Sequence, residues 1–416
     1  MRGLLTTCAV AGLTRVALAE PTPPDPAPDA APIAVKASSD EIDLSSLGLD
    51  PTAASFDDKL SIYGFADVGW SARHWNRDPA LADQDSRTFV IGNLNLYLAK
   101  NLTAKARALI ELRFTFLPNG SQNADGSFVN TTAQDTSNFF RPTQWGGIVI
   151  ERAYVEYDLT DHLTIRAGHW LTPYGVWNID HGSPVILGTF RPYIIGEQYF
   201  PEHQTGLDLF GSHDLDGFRI GAHVTASNGR GATEAQADQD NHLAFGARLS
   251  LDTPWGLKVG GSYYRGRYTG LPPGPGLAAE TYLEAAYGGD FQYDRGPLHL
   301  QGEIIARDRH YPGTSPTLLS PSGGPSDRHE LGFYALAGYR FDRMWNVMPF
   351  VSLERQNPSD HTLYTQVTGE YVGLNFRPAP SLVFKIQGTR GYFGEGGGLF
   401  LHLKNWTLST QASWVF

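Results

Sequence analysis

From Leu60 to the end of the chain, apolar and polar residues alternate with a period of two, in runs of about ten. In LSIYGFADVGWSAR the positions Leu60, Ile62, Gly64, Ala66, Val68, Trp70 and Ala72 are apolar or small, and Ser61, Asp67, Ser71 and Arg73 fall between them. KARALIELRFTF puts Ala106, Ala108, Ile110, Leu112, Phe114 and Phe116 on one face, with Lys105, Arg107, Glu111 and Arg113 on the other. HLAFGARLSL, LHLQGEIIAR and ELGFYALAGYRF repeat the scheme. The pattern predicts β-strands with one apolar and one polar face, each of a length that crosses a bilayer when tilted. No segment carries the roughly 18 consecutive apolar residues of a membrane helix. Strands that cross a membrane must close on themselves so that no edge is left unpaired, which points to a barrel.

The connections alternate between short and long. Short ones are NLTA, LTDH, HDLDG, DTPWG, DRGP, DRMWN and RPAPS, each rich in turn residues. Long ones lie near residues 76–86, 117–147, 171–203, 229–241, 269–280, 309–328, 358–364 and 391–403. Seven short turns and eight long loops imply 16 strands, with both chain ends on the short-turn side. The expected fold is all-β: a 16-stranded antiparallel transmembrane β-barrel with short periplasmic turns and long external loops. The final strand, NWTLSTQASWVF, ends on an aromatic residue, and with Trp414 and Phe416 it resembles the C-terminal signal that the barrel-assembly machinery recognises.

Composition agrees and limits the function. Aromatics are 12% of residues, charged residues 18%, and Gly accounts for 46 of 416. The first 19 residues, MRGLLTTCAVAGLTRVALA, have a basic start, an apolar run and a small-x-small end, as a secretory signal peptide does. Residues 20–58 are Pro/Ala/Asp-rich, the composition of a disordered periplasmic linker, which leaves 59–416 for the barrel. Cys8 is the single cysteine and lies within the leader, so neither a disulfide framework nor a thiolate metal site is expected. The net charge of −11 argues against nucleic acid as a partner.

In a barrel of this size the inward face lines water, and its charges set selectivity. On the polar faces the cations are Arg73, Lys105, Arg107, Arg113, Arg152, Arg166, Arg219, Arg248, Lys258, Arg307, Arg340 and Lys385. Fewer acids join them: Asp67, Glu111, Glu156, Asp208, Glu303 and Glu354. An interior of this balance favours anions. Tyr63, Phe65, Tyr97 and Tyr154 are candidates for a stacking track on the same face.

RAGHWLTPYGVWN, residues 166–178, preceded by ERAYVEYDL, resembles the large Gram-negative outer-membrane porins related to the phosphate-selective porins. The resemblance implies a 16-stranded, trimeric channel whose loop after the fifth strand folds into the lumen as a constriction. That loop is NIDHGSPVILGTFRPYIIGEQYFPEHQTG, so Asp180, His181, Arg191, Tyr193, Glu197, Glu202 and His203 become constriction candidates beside Trp177 and Tyr199. Phosphate-selective members also use lysine-rich funnels, whereas this chain has seven lysines: Lys36, Lys59, Lys100, Lys105, Lys258, Lys385 and Lys404.

Other chemistry has weaker support. His181 and Ser183 lie near acids, but the chain has no Gly-x-Ser-x-Gly elbow, and no catalytic residue is assigned. DQDNH (Asp238, Asp240, His242) is an acidic loop tip, and GEGGGLF at 394–400 leads into no helix, so neither metal nor cofactor is expected. The expected function is passive diffusion of small hydrophilic solutes across the Gram-negative outer membrane, with an anion preference. The alternatives are a sugar- or organic-acid-specific channel and, in another class, an outer-membrane enzyme or adhesin.

Overall fold

The computed structural model describes residues 59–75, 86–116, 145–179, 182–231, 240–270, 279–312, 327–342, 346–358, 366–394 and 403–416. Residues 1–58, where a leader and a linker are expected, lie outside the described residues, as do Asp180, His181, Asp238 and most of the 394–400 glycine run.

The wall is built in chain order from β1 (Ser61–Trp75), β2 (Ser86–Asn101), β3 (Ala106–Phe116), β4 (Trp145–Thr160), β5 (Leu163–Leu171), β6 (His203–Leu215) and β7 (Phe218–Ser227). It continues through β9 (Ala244–Asp252), β10 (Leu257–Thr269), β11 (Thr281–Arg295), β12 (Leu298–His310) and β13 (Arg328–Tyr339). The last four are β14 (Val347–Pro358), β15 (Val367–Ala379), β16 (Leu382–Phe393) and β17 (Leu403–Val415). The two-residue β8 (Arg230–Gly231) only adds to the rim, pairing parallel with the end of β10. The wall therefore has the 16 antiparallel strands expected from the alternation, and it is closed because β1 pairs with both β2 and β17.

At the seam the terminal residue completes the ladder. Gly64 and Phe416 exchange two N–H···O bonds of 2.9 Å each. A side chain at Gly64 would collide with the Asn95 carbonyl and crowd the Phe416 ring, so the last aromatic side chain lies over a position that only glycine leaves open.

Side chains divide as a barrel in lipid requires. Ile62, Val68, Phe89, Ile110, Val224, Leu249, Ile304, Val351, Val372 and Leu408 are all exposed on the outer wall, while acids, bases and amides are buried on the inner wall. This reverses the soluble arrangement, and it places apolar surface where lipid is the solvent. On β17 the outward Trp406 and Trp414 stand eight residues apart, roughly 26 Å along a strand at about 3.3 Å per residue and roughly 20 Å across the bilayer at a tilt of about 40°, which puts an aromatic ring toward each edge of an apolar band.

Turn chemistry fixes the short end. Between β6 and β7, Asp216 and Gly217 both take positive φ (49° and 84°), as a two-residue hairpin whose twist matches the strands demands. Lys105 corrects one expectation: β3 begins at Ala106, and Lys105 sits exposed in the β2–β3 turn instead of on the lumenal wall, because Thr103 Oγ1 caps that turn.

Candidate pore constriction

Two glycines explain the sequence that announces the loop. Gly168, with φ +136°, lies so close to β4 that a side chain there would strike the Ala153 carbonyl. Gly175 ends the TPYG turn with φ +77°, and a Cβ there would enter the Glu303 carboxylate. The neck of the loop is then clasped. Thr172 N–H donates to the Glu202 carbonyl at 3.0 Å, and Asn178 Nδ2 donates to the Thr172 and Glu202 carbonyls at 2.9 Å each.

Beyond the neck the loop lies inside the barrel and packs to one side. Tyr174, Trp177, Ile194, Tyr199 and Phe200 form one apolar cluster with Ala244, Tyr264, Ala286, Ile305 and Tyr334 of β9–β13. Trp177 meets Tyr334 edge-on at 5.8 Å, and the Tyr174 hydroxyl reaches Thr225 at 2.7 Å. Burial raises the Tyr174 and Tyr199 phenols and pushes Tyr193 up to about 12, so all three are neutral at ordinary pH.

The inner-wall charges anchor the loop through its backbone. Glu303 Oε1 accepts the N–H groups of Val176 (3.0 Å) and Trp177 (2.7 Å), and Glu354 Oε2 accepts that of Tyr193 (2.6 Å), ahead of the single-turn helix α1 (Tyr193–Gly196). Cations take the carbonyls: Lys385 Nζ donates to Ser183 (2.6 Å) and Gly188 (2.9 Å), Arg307 to Glu197 and Gln198, and Arg377 to Pro184 and Val185. Gln387 and Asn375 complete the set at Thr189 N–H and the Leu187 carbonyl. A loop buried in the lumen leaves backbone groups without water, and these wall side chains replace it.

The remaining expected site residues divide into three groups. Arg107, Arg152, Arg166 and Arg248 are held in wall ion pairs with Glu156, Glu111, Glu156 with Asp208, and Asp290 respectively. Arg219 and Arg340 lie at the short-turn end, Arg219 pairing with Asp214 at 2.8 Å and Arg340 contacting the Met348 sulfur at 3.8 Å. Arg73, Arg113, Arg191, Glu197, Glu202 and Tyr193 line open space, and His203 begins β6, bonded to Glu151 at 2.8 Å and stacked on His169.

That space lies between the loop and β1–β3 and β17, and is the candidate for a passage. Its narrow part, about 160 Å³, is bounded by Phe65, Asn93, Asn95, Arg113, Asn178, Arg191, Glu202 and Gln411. Across Arg191, which borders both, lies a vestibule of about 330 Å³ beside Arg73, Tyr193, Glu197, Tyr371 and Asn405. A bulge sets Gly92 and Asn93 opposite Asp67, whose Oδ2 accepts both Asn93 nitrogens at 3.1 Å while Oδ1 accepts Gln411 Nε2 at 3.0 Å. Amides, not the expected aromatic track, thus flank the charges. Tyr63 instead stacks on Tyr97, which Phe65 meets at a tilt, and Tyr97, Tyr154 and Phe65 are buried with Trp170 in a wall cluster.

Gly175→Ala is expected to change gating without unfolding the barrel. The added methyl costs about 1 kcal/mol in backbone strain and displaces Glu303 from the Val176 and Trp177 N–H groups. Single-channel traces should show noisy substates in place of one steady level, while the protein keeps the heat-dependent gel mobility of a folded barrel.

A closed wall, lipid-facing apolar strands and an in-folded loop beside a polar passage define a channel of the porin class. The chain belongs to the Gram-negative porin family, whose sequence model matches residues 30–365, and it is an outer-membrane porin. Among solved structures it is similar to the anion-selective porin from Comamonas acidovorans, at 11% identity and a TM-score of 0.54 over 86% of this chain and 99% of that one. It is also similar to OmpT of Vibrio cholerae (9% identity, TM-score 0.53, 86% and 97% covered) and to the channel DcaP of Acinetobacter baumannii (10%, 0.50, 86% and 97%). At such identities the shared feature is the fold. No curated protein sequence matches the chain.

Proposed function

We propose that this porin is a passive channel for small hydrophilic solutes with a preference for anions. One observation carries the preference. In two ion pairs at the passage the guanidinium is the more exposed member: Arg113 is 32% exposed against 5% for Glu151, and Arg191 43% against 12% for Glu202. Arg73 adds a cation to the vestibule and makes no ion pair among the described residues, while Asp67 spends its oxygens on three N–H donors. Glu197 is an exposed acid there and reduces the bias without cancelling it. An ion entering the passage therefore meets positive charge first.

The inner wall as a whole supports no anion preference, because Glu151, Glu284, Asp290 and Glu330 join the acids read from sequence and pair with Arg113, Arg230, Arg248 and Arg307. The preference rests on the passage alone. Reversal potentials in planar bilayers under a KCl gradient test it: the expected sign is anion-selective, and a cation-selective sign overturns it. The channel reading extends to an exported chain whose leader is removed, which folds with the barrel-assembly machinery through Trp414 and Phe416 and works as a homotrimer, as the family resemblance implies. Purified protein that shows no conductance steps in bilayers would favour the alternative of an outer-membrane enzyme or adhesin.

The four amides Asn93, Asn95, Asn178 and Gln411 favour a second reading, in which hydroxylated solutes such as sugars or hydroxy acids exchange hydrogen bonds with the wall as they pass. Liposome swelling with sugars of equal size and differing hydroxyl pattern separates it from simple sieving.

A further inference from the structure

The amides of the passage do not offer both of their ends to a solute. Asn93 Nδ2 donates to Asp67 Oδ2 at 3.1 Å, Gln411 Nε2 to Asp67 Oδ1 at 3.0 Å, and Asn95 Nδ2 to Glu111 Oε1 at 2.5 Å. On the loop side, Asn178 spends its Nδ2 on the Thr172 and Glu202 carbonyls. Carboxylate and carbonyl oxygens only accept, so each amide must keep its NH2 against the protein; turned over, it would set oxygen against oxygen. The locks are themselves held. Asp67 also accepts the Asn93 backbone N–H at 3.1 Å, and a side chain at Gly92 would take the place of its carboxylate. Glu111 is fixed by Arg152 Nε at 2.5 Å, with both side chains buried.

What remains for a solute is a set of acceptors. Asn95 is 3% exposed and lines the passage, yet its Oδ1 accepts no hydrogen bond among the described residues; the same holds for Gln411 Oε1 and Asn93 Oδ1. An enclosed oxygen without a donor is costly, so a hydroxyl brought beside it gains more than it would at an amide open to water. The strand ladders set these oxygens next to a cation. Asn95 is directly opposite Arg113 on one side and Phe65 on the other, Asp67 follows Phe65 on the same face of β1, and Gln411 is opposite Gly69, the next position on that face. Opposite residues of a strand pair have Cβ atoms about 5 Å apart, which is within the length of one small solute.

We propose that the passage selects organic anions bearing hydroxyl groups, such as hydroxy acids and sugar acids, over anions of equal charge and length that only accept hydrogen bonds, with Asp67 as the residue that positions the amides for it. This rests on the anion reading of the passage. The guanidiniums of Arg113 and Arg191 receive the carboxylate, and the oxygens of Asn93, Asn95 and Gln411 receive the hydroxyls. An anion without hydroxyls gains from the guanidiniums alone and leaves the amide oxygens without donors. A neutral sugar gains from the amides alone, so only the combination uses both halves of the site.

The test uses the purified full-length barrel in planar bilayers at neutral pH, with potassium chloride on one side and potassium tartrate or potassium succinate on the other. The two anions share charge and carbon count, and only tartrate carries hydroxyls. Tartrate should be about fivefold more permeant than succinate, the scale of one net hydrogen bond. Asp67→Asn frees Asn93 and Gln411 to turn over, and should bring that ratio close to one while chloride-over-potassium selectivity rises with the loss of an acid, a split that a merely loosened wall would not give. Equal permeation of the two anions in the wild type, or an unchanged ratio in Asp67→Asn, would overturn the proposal. Should Asp67→Asn lose its heat-dependent gel mobility, Gln411→Leu is read instead. It removes one oxygen and leaves Asp67 bonded to Asn93, and it should lower the ratio about twofold; no change there overturns the proposal equally. The reversal potential in KCl reads the anion preference by itself. Anion selectivity with equal tartrate and succinate permeation therefore defeats this proposal alone, and a cation-selective sign defeats both readings.

Discussion

Replacing residues 180–197 by a short Gly-Ser linker is expected to raise single-channel conductance roughly threefold, the scale set by exchanging the loop-narrowed passage for the lumen of a 16-stranded barrel. The neck, with Thr172, Trp177 and Asn178 on one side and Tyr199, Phe200 and Glu202 on the other, stays in place to keep the apolar cluster against β9–β13. What is lost is α1 and the 183–190 turn, the segments that Glu354, Lys385, Arg377, Gln387 and Asn375 hold. The wall should survive, because the backbone ladders that close it run from strand to strand, and the loop is held only by wall side chains. The freed Lys385 and Arg377 would then face water, and anion preference should rise with conductance. Unchanged conductance in planar bilayers would mean that the loop does not limit flow.

Much of this fold was legible because a barrel writes its geometry into the sequence twice, in side-chain alternation and in loop length. Ile62, Val68 and Ile110 face lipid, and Asp67 and Glu111 face inward, as the period of two requires. The same rule failed where the ladder slips. Between β3 and β4 the register shifts at Glu111/Leu112, so the adjacent Glu151 and Arg152 are both buried on the inner side, and strict alternation passes over Glu151. Gly92 and Asn93 escaped notice for the same reason, opposite Asp67 at the β1–β2 bulge. A bulge leaves no hydrophobic signature, only a displaced phase.

The loop could be placed from Gly168 and Gly175, but its attachment could not be read. Its own charged side chains do little of the anchoring. Arg191 and Glu202 pair with each other at 3.0 Å, while the backbone takes most of its partners from β12–β16, more than a hundred residues away in the case of Glu303, Lys385 and Gln387. A pairing between a wall side chain and a loop carbonyl imposes no residue type on the loop. Nothing in SPVILGTF marks Ser183 or Gly188 as the acceptors of Lys385.

Neutralising the passage, Arg113→Gln together with Arg191→Gln, is expected to reverse the sign of the reversal potential. Each substitution removes the more exposed member of an ion pair and leaves its carboxylate, Glu151 or Glu202, beside the permeating ion, with Glu197 farther out. A unit charge at about 4 Å contributes about 1 kcal/mol even in bulk water, and it acts with opposite sign on anion and cation. The anion-to-cation permeability ratio should therefore fall on the order of tenfold or more at 0.1 M KCl. Glutamine keeps the side chains near their original size, so conductance should change far less than selectivity. Salt separates this cause from a change in width. Screening shortens the reach of these charges from about 10 Å at 0.1 M to about 3 Å at 1 M, so the difference between variant and wild type should shrink at high salt. A difference that persists undiminished at 1 M KCl would mean that selectivity is set by geometry or by charges elsewhere in the lumen, and the assignment of Arg113 and Arg191 as the selecting pair would be wrong.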